Sequence, residues 1–195
     1  MPDAPDEGTS LTLLQRLRAN EPAAWEAVVR LYSPLVWHWC SRSGVRGADA
    51  DDVTQEVFAA AAARLAHFRR DRPGDSFRGW LRGITRNLLL LHLRRRSREP
   101  VGDGGADCLD RLQALPEPET DEEDRAEAGL VYRRAVEMVR GEFEERTWEA
   151  FRRTVLDAQP TDETAAALGV TPAAVRKARS RVLRRLRERL GDLIR

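Results

Sequence analysis

Lysine is nearly absent from this chain of 195 residues: Lys177 is the only one, and arginine carries the remaining basic charge. Arginine suits bidentate contacts with phosphate and base edges. An arginine- and alanine-rich composition also follows from a G+C-rich genome, so this bias alone identifies no partner. Cysteine is equally scarce. Cys40 and Cys108 are far apart and match no metal spacing; His38, His67 and His92 are scattered. His38 and Cys40, two apart, would point to different faces of a helix. These absences argue against a metal site or a disulfide framework, and a reducing compartment is expected. Apolar runs such as Leu88–Leu91 are too short to span a bilayer, and the Asp-, Pro- and Glu-rich N-terminus has no signal-peptide character. A cytosolic protein without membrane insertion is expected. The chain also lacks strand-like alternation, internal repeats, a nucleophile–base pair and a phosphate-binding glycine loop. Asp49, Asp51 and Asp52 have no partner cluster. Neither catalysis nor a cofactor is expected.

What the chain does have is segregated charge. The net charge is only +1, yet Arg78 to Arg98 holds seven arginines and no carboxylate, and Thr171 to Arg195 holds nine basic residues against Glu188 and Asp192. Between them, Glu99 to Glu127 carries eleven acids against Arg111 and Arg125. Two basic blocks with an acidic one between suggest two polyanion-facing surfaces and a spacer. Charge alone would favour solvated helix faces.

Helical spacing dominates the apolar pattern. Residues 1–9 read as a disordered tail. Leu11, Leu14 and Leu17 open the pattern, and Pro22 starts a helix with Trp25, Val28, Val29 and Tyr32 on one stripe. Ser33-Pro34 reads as the cap and first turn of another helix, ending near Arg42 before Gly44 and Gly47. Asp49 is a candidate cap for a helix to about Ala66 that turns Val53, Val57, Ala60 and Leu65 inward. After a loop over residues 69–75, Ser76 caps a helix with Trp80, Leu81, Ile84, Leu88 and Leu91 on one side. Proline-rich, acidic residues 99–124 read as a linker. Helical pattern resumes near Arg125 with Leu130, Val131, Ala135, Met138 and Val139, then over about Glu142–Leu156. The expected architecture is all-α, with one helical domain over 10–98 and another over 125–195.

The most informative stretch runs from Thr161 to Leu190. Thr161 can cap a short helix, Gly169 sits where a left-handed helix end is needed, and Val170 can plug the corner. Thr171 caps a second helix, and Pro172 occupies its first turn, where a missing N–H costs nothing. Val175, Ala178, Val182, Leu186 and Leu190 share its inner face, while Arg176, Lys177, Ser180 and Arg181 face out. That is a helix-turn-helix whose second helix could enter a major groove about 12 Å wide. A helix N-terminus with a threonine hydroxyl can also hold a phosphate. An ordinary helical hairpin with a basic surface is the plainer alternative on local pattern alone.

At this point the chain resembles the extracytoplasmic-function (ECF) sigma factors. The stretch TAAALGVTPAAVRKARSRVLRRLRERL resembles their region-four helix-turn-helix, entered through RTWEAFRRTVLDAQP. DADDVTQEVFAAAAARL and FRRDRPGDSFRGWLRGITRNLLLLHLRRR resemble successive parts of region two. By resemblance, Asp52, Gln55 and Glu56 bind the clamp helices of the largest subunit of core RNA polymerase. An acidic, amide-bearing face meeting basic partners is sensible electrostatically, although Asp51 and Asp52 would also favour a solvated helix start. The resemblance assigns Arg69, Arg86, Asn87, Arg94 and Arg95 to the minus-ten element of promoter DNA, where an unstacked base is held. It assigns Thr171, Arg176, Lys177, Ser180 and Arg181 to the minus-thirty-five element. Trp80 suits the core better than base stacking. An anti-sigma factor is a further implied partner. Leu91 departs from the polar or acidic residue that family members often carry there, which bears on promoter preference. The domain that larger sigma factors carry between these two is missing, which points to the ECF class. The expected function is promoter-directed initiation by polymerase. The alternative is a stand-alone helix-turn-helix regulator binding an operator.

Overall fold

A computed structural model describes residues 13–69, 71, 75–96 and 121–190. The tail over 1–9 and the linker as far as residue 120 lie outside these. The described residues form eight α-helices and no strand: α1 (Leu13–Arg18), α2 (Pro22–Arg42), α3 (Ala48–Arg64), α4 (Phe77–Arg96), α5 (Asp121–Arg140), α6 (Glu145–Phe151), α7 (Thr161–Leu168) and α8 (Pro172–Leu190). A 3₁₀ turn over Leu65–His67 extends α3, and a π-helical turn over Arg152–Leu156 extends α6. The all-helical class is as expected. Contacts divide the described chain into two compact units, residues 16–131, and residues 132–190 with 13–15.

In the first unit, α2 buries Val28, Leu31, Tyr32, Leu35, Val36 and Trp39, a stripe at three- and four-residue spacing that runs unbroken through Pro34. The expected break at Ser33-Pro34 does not occur. Proline removes one backbone donor inside a helix, but Ser33 Oγ donates to the Val29 carbonyl at 2.7 Å, and apolar burial continues on both sides. The α3 helix turns Ala50, Val53, Val57 and Ala61 inward; such small side chains let a neighbouring backbone approach closely. Its cap is Gly47, at φ +60°, a conformation glycine adopts without strain. Asp49, expected as the cap, sits instead inside the first turn, where its charge suits the helix dipole.

Ser76 does cap α4, accepting the Gly79 N–H at 3.0 Å. The phase of α4 differs from the expected one. Phe77, Leu81, Thr85, Leu89 and Leu93 are buried along one four-residue row, with Ile84 beside it, while Leu91 is 47% exposed. Four successive leucines cannot all face one way, and the anchoring aromatic Phe77 decides which do. Phe77 lies 5.3 Å from the Tyr32 ring, 5.6 Å from Phe68 and 5.4 Å from Trp80. Trp80 also packs on Phe68 at 5.0 Å, so it belongs to this aromatic cluster. Burying such a ring contributes about 1.5–3 kcal/mol.

The α5 helix starts at Asp121, so the last residues read as linker are already helical. Four acids at a helix N-terminus complement its dipole. Glu127, one turn on, is buried with only 2% of its surface exposed.

In the second unit, the Trp148 and Phe151 rings of α6 pack 5.5 Å apart at a 44° tilt, and Arg140 lies over Trp148 at 5.9 Å. The helix expected over Glu142–Leu156 begins only at Glu145, after a turn in which Glu142 pairs with Arg185 and, at 3.0 Å, with Arg189. It then widens: the Asp157 N–H reaches the Arg152 carbonyl, five residues back. Thr154 Oγ1 donates to the Ala150 carbonyl at 2.7 Å and so competes for the acceptor of an α-helical bond.

On this segment Glu149 accepts from Arg152 at 2.7 Å and from Arg153 at 2.7 Å. These guanidinium hydrogen bonds lower its carboxyl from 4.5 to about 2. A lowered carboxyl stabilises the fold fully above its unfolded value and loses that contribution as pH falls. Glu149→Gln should therefore lose that contribution at neutral pH, melting somewhat lower there than the parent chain, and converge with the parent as pH falls from 4.5 to about 2, so that its acid limb is shallower. Circular-dichroism melts of the full chain across that range measure it, and identical acid limbs would refute it.

Candidate nucleic-acid interface

The turn between α7 and α8 has the local chemistry the residues demand. Gly169 adopts φ +62° and ψ +42°, and its N–H returns to the Ala165 and Ala166 carbonyls. Arg146 of α6 donates to the Leu168 carbonyl at 2.8 Å, satisfying an acceptor at the end of α7. Pro160, not Thr161, precedes the first residue of α7, so Thr161 lies within that helix rather than capping it. Thr171 does cap α8: its Oγ1 accepts the Ala174 N–H at 3.2 Å.

Behind the turn, Ala150, Ala165 and Val175 form a buried cluster against which Leu168, Val170 and Ala178 pack. Val182, Leu186 and Leu190 continue the buried side of α8. The opposite side leaves Thr171, Arg176, Lys177, Ser180 and Arg181 exposed over the first half of the helix. Cations and hydroxyls on the open face of a helix behind a tight turn can reach phosphates and base edges.

In the first unit, Arg86, Asn87, Arg94 and Arg95 are exposed on α4. Arg69 is exposed as well. Its Nη1 donates to the Ala66 carbonyl at 2.6 Å and to the Phe68 carbonyl at 3.2 Å. Arg18 also donates to the Phe68 carbonyl, at 3.1 Å, so two guanidinium groups converge where the loop leaves the 3₁₀ turn. At the far end of α4, Arg96 pairs with Asp49 at 2.8 Å and His92 lies 3.9 Å from the same carboxylate. Asp52, Gln55 and Glu56 are exposed on α3, opposite the buried Val53 and Val57. Their exposure leaves them available to a partner.

One constellation was not visible in the sequence. Glu127 accepts the Trp39 indole N–H at 2.8 Å and an Arg82 N–H at 3.2 Å, with Arg82 also 5.8 Å over the Trp39 ring. Beside it, Arg78 pairs with Asp124 at 2.5 Å and Arg42 with Glu123 at 2.9 Å. The only advance signal was the complementary charge of the acidic and basic blocks, which does not specify pairs. Cys40 is buried, and burial pushes its thiol up to about 11. Such a group is a core side chain, not a nucleophile.

Residues 28–99 match the sigma-70 region 2 family. Over 94 residues the chain is 34% identical to the ECF RNA polymerase sigma factor SigE of Mycolicibacterium smegmatis, covering 48% of this chain and 31% of that protein. It is 31% identical over 143 residues to the "Probable RNA polymerase sigma factor RfaY" of Xanthomonas campestris pv. campestris, covering 73% of this chain and 34% of that protein. It is 28% identical over 188 residues to the ECF RNA polymerase sigma factor BldN of Streptomyces coelicolor, covering 96% of this chain and 68% of that protein. The chain thus spans about a third of the length of the first two relatives and two thirds of the third. Most of α2 and all of α3 and α4 lie within the region 2 match and a helix-turn-helix follows on the same chain, so the chain carries a sigma-70 region 2 domain and is similar over its length to ECF RNA polymerase sigma factors.

Proposed function

We propose that the chain is an alternative sigma factor that binds core RNA polymerase, directs it to particular promoters and assists their melting. The observation that carries this reading is the pairing, on one chain, of a region 2 match over residues 28–99 with an exposed basic face on α8 behind the Gly169 turn. In this reading Asp52, Gln55 and Glu56 meet the polymerase clamp helices. Arg69, Arg86, Asn87, Arg94 and Arg95 hold the opened minus-ten strand, where stacking and base-edge contacts offset an unpairing cost of a few kcal/mol. Thr171, Arg176, Lys177, Ser180 and Arg181 grip the minus-thirty-five major groove. The bond-making chemistry belongs to the polymerase, the site of action is the cytoplasm, and an anti-sigma protein holds the factor in reserve. No described helix is long and apolar enough to cross a membrane.

Transcription in vitro with core polymerase over a library of random promoters tests this directly. A defined set of start sites preceded by two elements at a nearly fixed gap is the expected result. Transcription indistinguishable from core polymerase alone would sink the proposal, as would a protein that shifts DNA without directing a start. On a selected promoter, Arg176→Ala or Arg181→Ala should weaken binding by about 1–3 kcal/mol if the side chain reads a base. Unchanged affinity and footprint for both variants would remove α8 from the interface.

A further inference from the structure

Arg42, Arg78 and Arg82 were given no individual role above, yet each meets a carboxylate of the first turns of α5. The three pairs are not equivalent. Glu127 is buried and also holds the Trp39 indole, so its pair with Arg82 is a fixed anchor. The outer two each keep one partner open to water: the Arg42 side chain is 46% exposed against 31% for Glu123, and that of Asp124 is 47% exposed against 18% for Arg78. Exposed ion pairs contribute little to stability, because water and salt screen both partners. Their carboxylates can therefore be exchanged for another anion without unfolding anything.

The neighbourhood indicates which anion. Arg78, Arg82 and Arg86 succeed one another at four-residue intervals on α4, so the paired arginines continue into the exposed basic face of that helix. A guanidinium that accepts a carboxylate in this geometry accepts a phosphate oxygen equally well. Phosphate contacts on a nucleic-acid strand also gain from counterion release, which an intramolecular carboxylate cannot supply.

We infer that Arg42 and Arg78 form a binding position for a nucleic-acid backbone phosphate, occupied in the unbound chain by Glu123 and Asp124 and framed by the Glu127 anchor. The acidic start of α5 thus acts as a built-in counter-anion at the margin of the basic face. The choice of nucleic acid as ligand rests on the proposed function. The exchange itself does not require polymerase.

The test uses the full chain alone, with a fluorescein-labelled forked oligonucleotide of random sequence and anisotropy titrations at several salt concentrations. Glu123→Gln with Asp124→Asn should tighten binding about 2- to 10-fold, the range expected on freeing two arginines from ion pairs that water reaches. Arg42→Ala with Arg78→Ala should weaken it about 5- to 10-fold and make the salt slope shallower by about one to two. The quadruple variant separates exchange from a general gain of positive charge. If the carboxylates act by occupying these arginines, their neutralisation gains nothing once Arg42 and Arg78 are gone. The inference is overturned if the gain persists undiminished in the quadruple variant, or if neither pair of substitutions moves affinity or slope. A promoter library without selected start sites would sink the functional reading instead, and would leave these titrations standing. None of the four side chains is buried, and circular dichroism verifies that each variant keeps its helices.

Discussion

A chain carrying Asp52→Ala, Gln55→Ala and Glu56→Ala together should keep its full helicity and melting temperature and fail to assemble with core RNA polymerase. All three side chains are exposed on α3, and the adjacent Val53 and Val57 keep the inner face of the helix intact. Alanine is the best helix former, so the substitutions themselves should leave stability within a fraction of a kcal/mol. Interface side chains at the centre of a contact, by contrast, cost 2 kcal/mol or more each when truncated, roughly, and three adjacent ones weaken binding beyond detection. Gel filtration with core polymerase, read beside a far-ultraviolet melt, separates the two effects. Normal holoenzyme assembly by the triple variant would show that polymerase docks elsewhere on this chain. Loss of helicity would show that the residues serve the fold.

The two units were unequally legible in the sequence, for a physical reason. The helix-turn-helix is specified by short-range chemistry. Gly169 at positive φ, the Thr171 cap and Pro172 at the start of α8 each act within four residues, and the structure places the end of α7 and the start of α8 where the residues put them. The first unit depends more on packing. Leu88 to Leu91 offer several equivalent phases, and only the aromatic cluster of Tyr32, Phe68, Phe77 and Trp80 selects the one that buries Leu89 and exposes Leu91. Pro34 reads locally as a helix start, yet the apolar stripe of α2 overrides it. The acidic run from Asp121 reads locally as a spacer, because the partners that make it a packed helix are 45 to 88 residues away. Charge pairing across such distances leaves no periodic trace. The exposed positions of the candidate site were legible as faces, since burial follows the helical period. What each face touches is a property of the partner and is written in no single chain.

Glu127 marks where that hidden pairing carries the most free energy. Its carboxylate is enclosed with Trp39 and with Arg82, whose side chain is 14% exposed. Truncating it in Glu127→Ala leaves a largely buried guanidinium without its counter-charge and an indole N–H without an acceptor. Breaking a buried pair in this one-sided way costs about 3–5 kcal/mol, a large fraction of the roughly 5–15 kcal/mol that holds a domain folded. Urea unfolding followed by circular dichroism should show the loss as a lower midpoint of the transition. The double variant Glu127→Met with Arg82→Met should lose much less, because removing both charges also removes the cost of desolvating them. Equal losses in the single and double variants would mean that the charge pair does not anchor α5, and that packing of the side-chain stems does. With the anchor gone, the outer carboxylates Glu123 and Asp124 lose the element that presents them to Arg42 and Arg78. Glu127→Ala should therefore also raise the affinity of the chain for a nucleic-acid backbone, and a destabilised variant that binds no tighter would separate the anchor from the exchange.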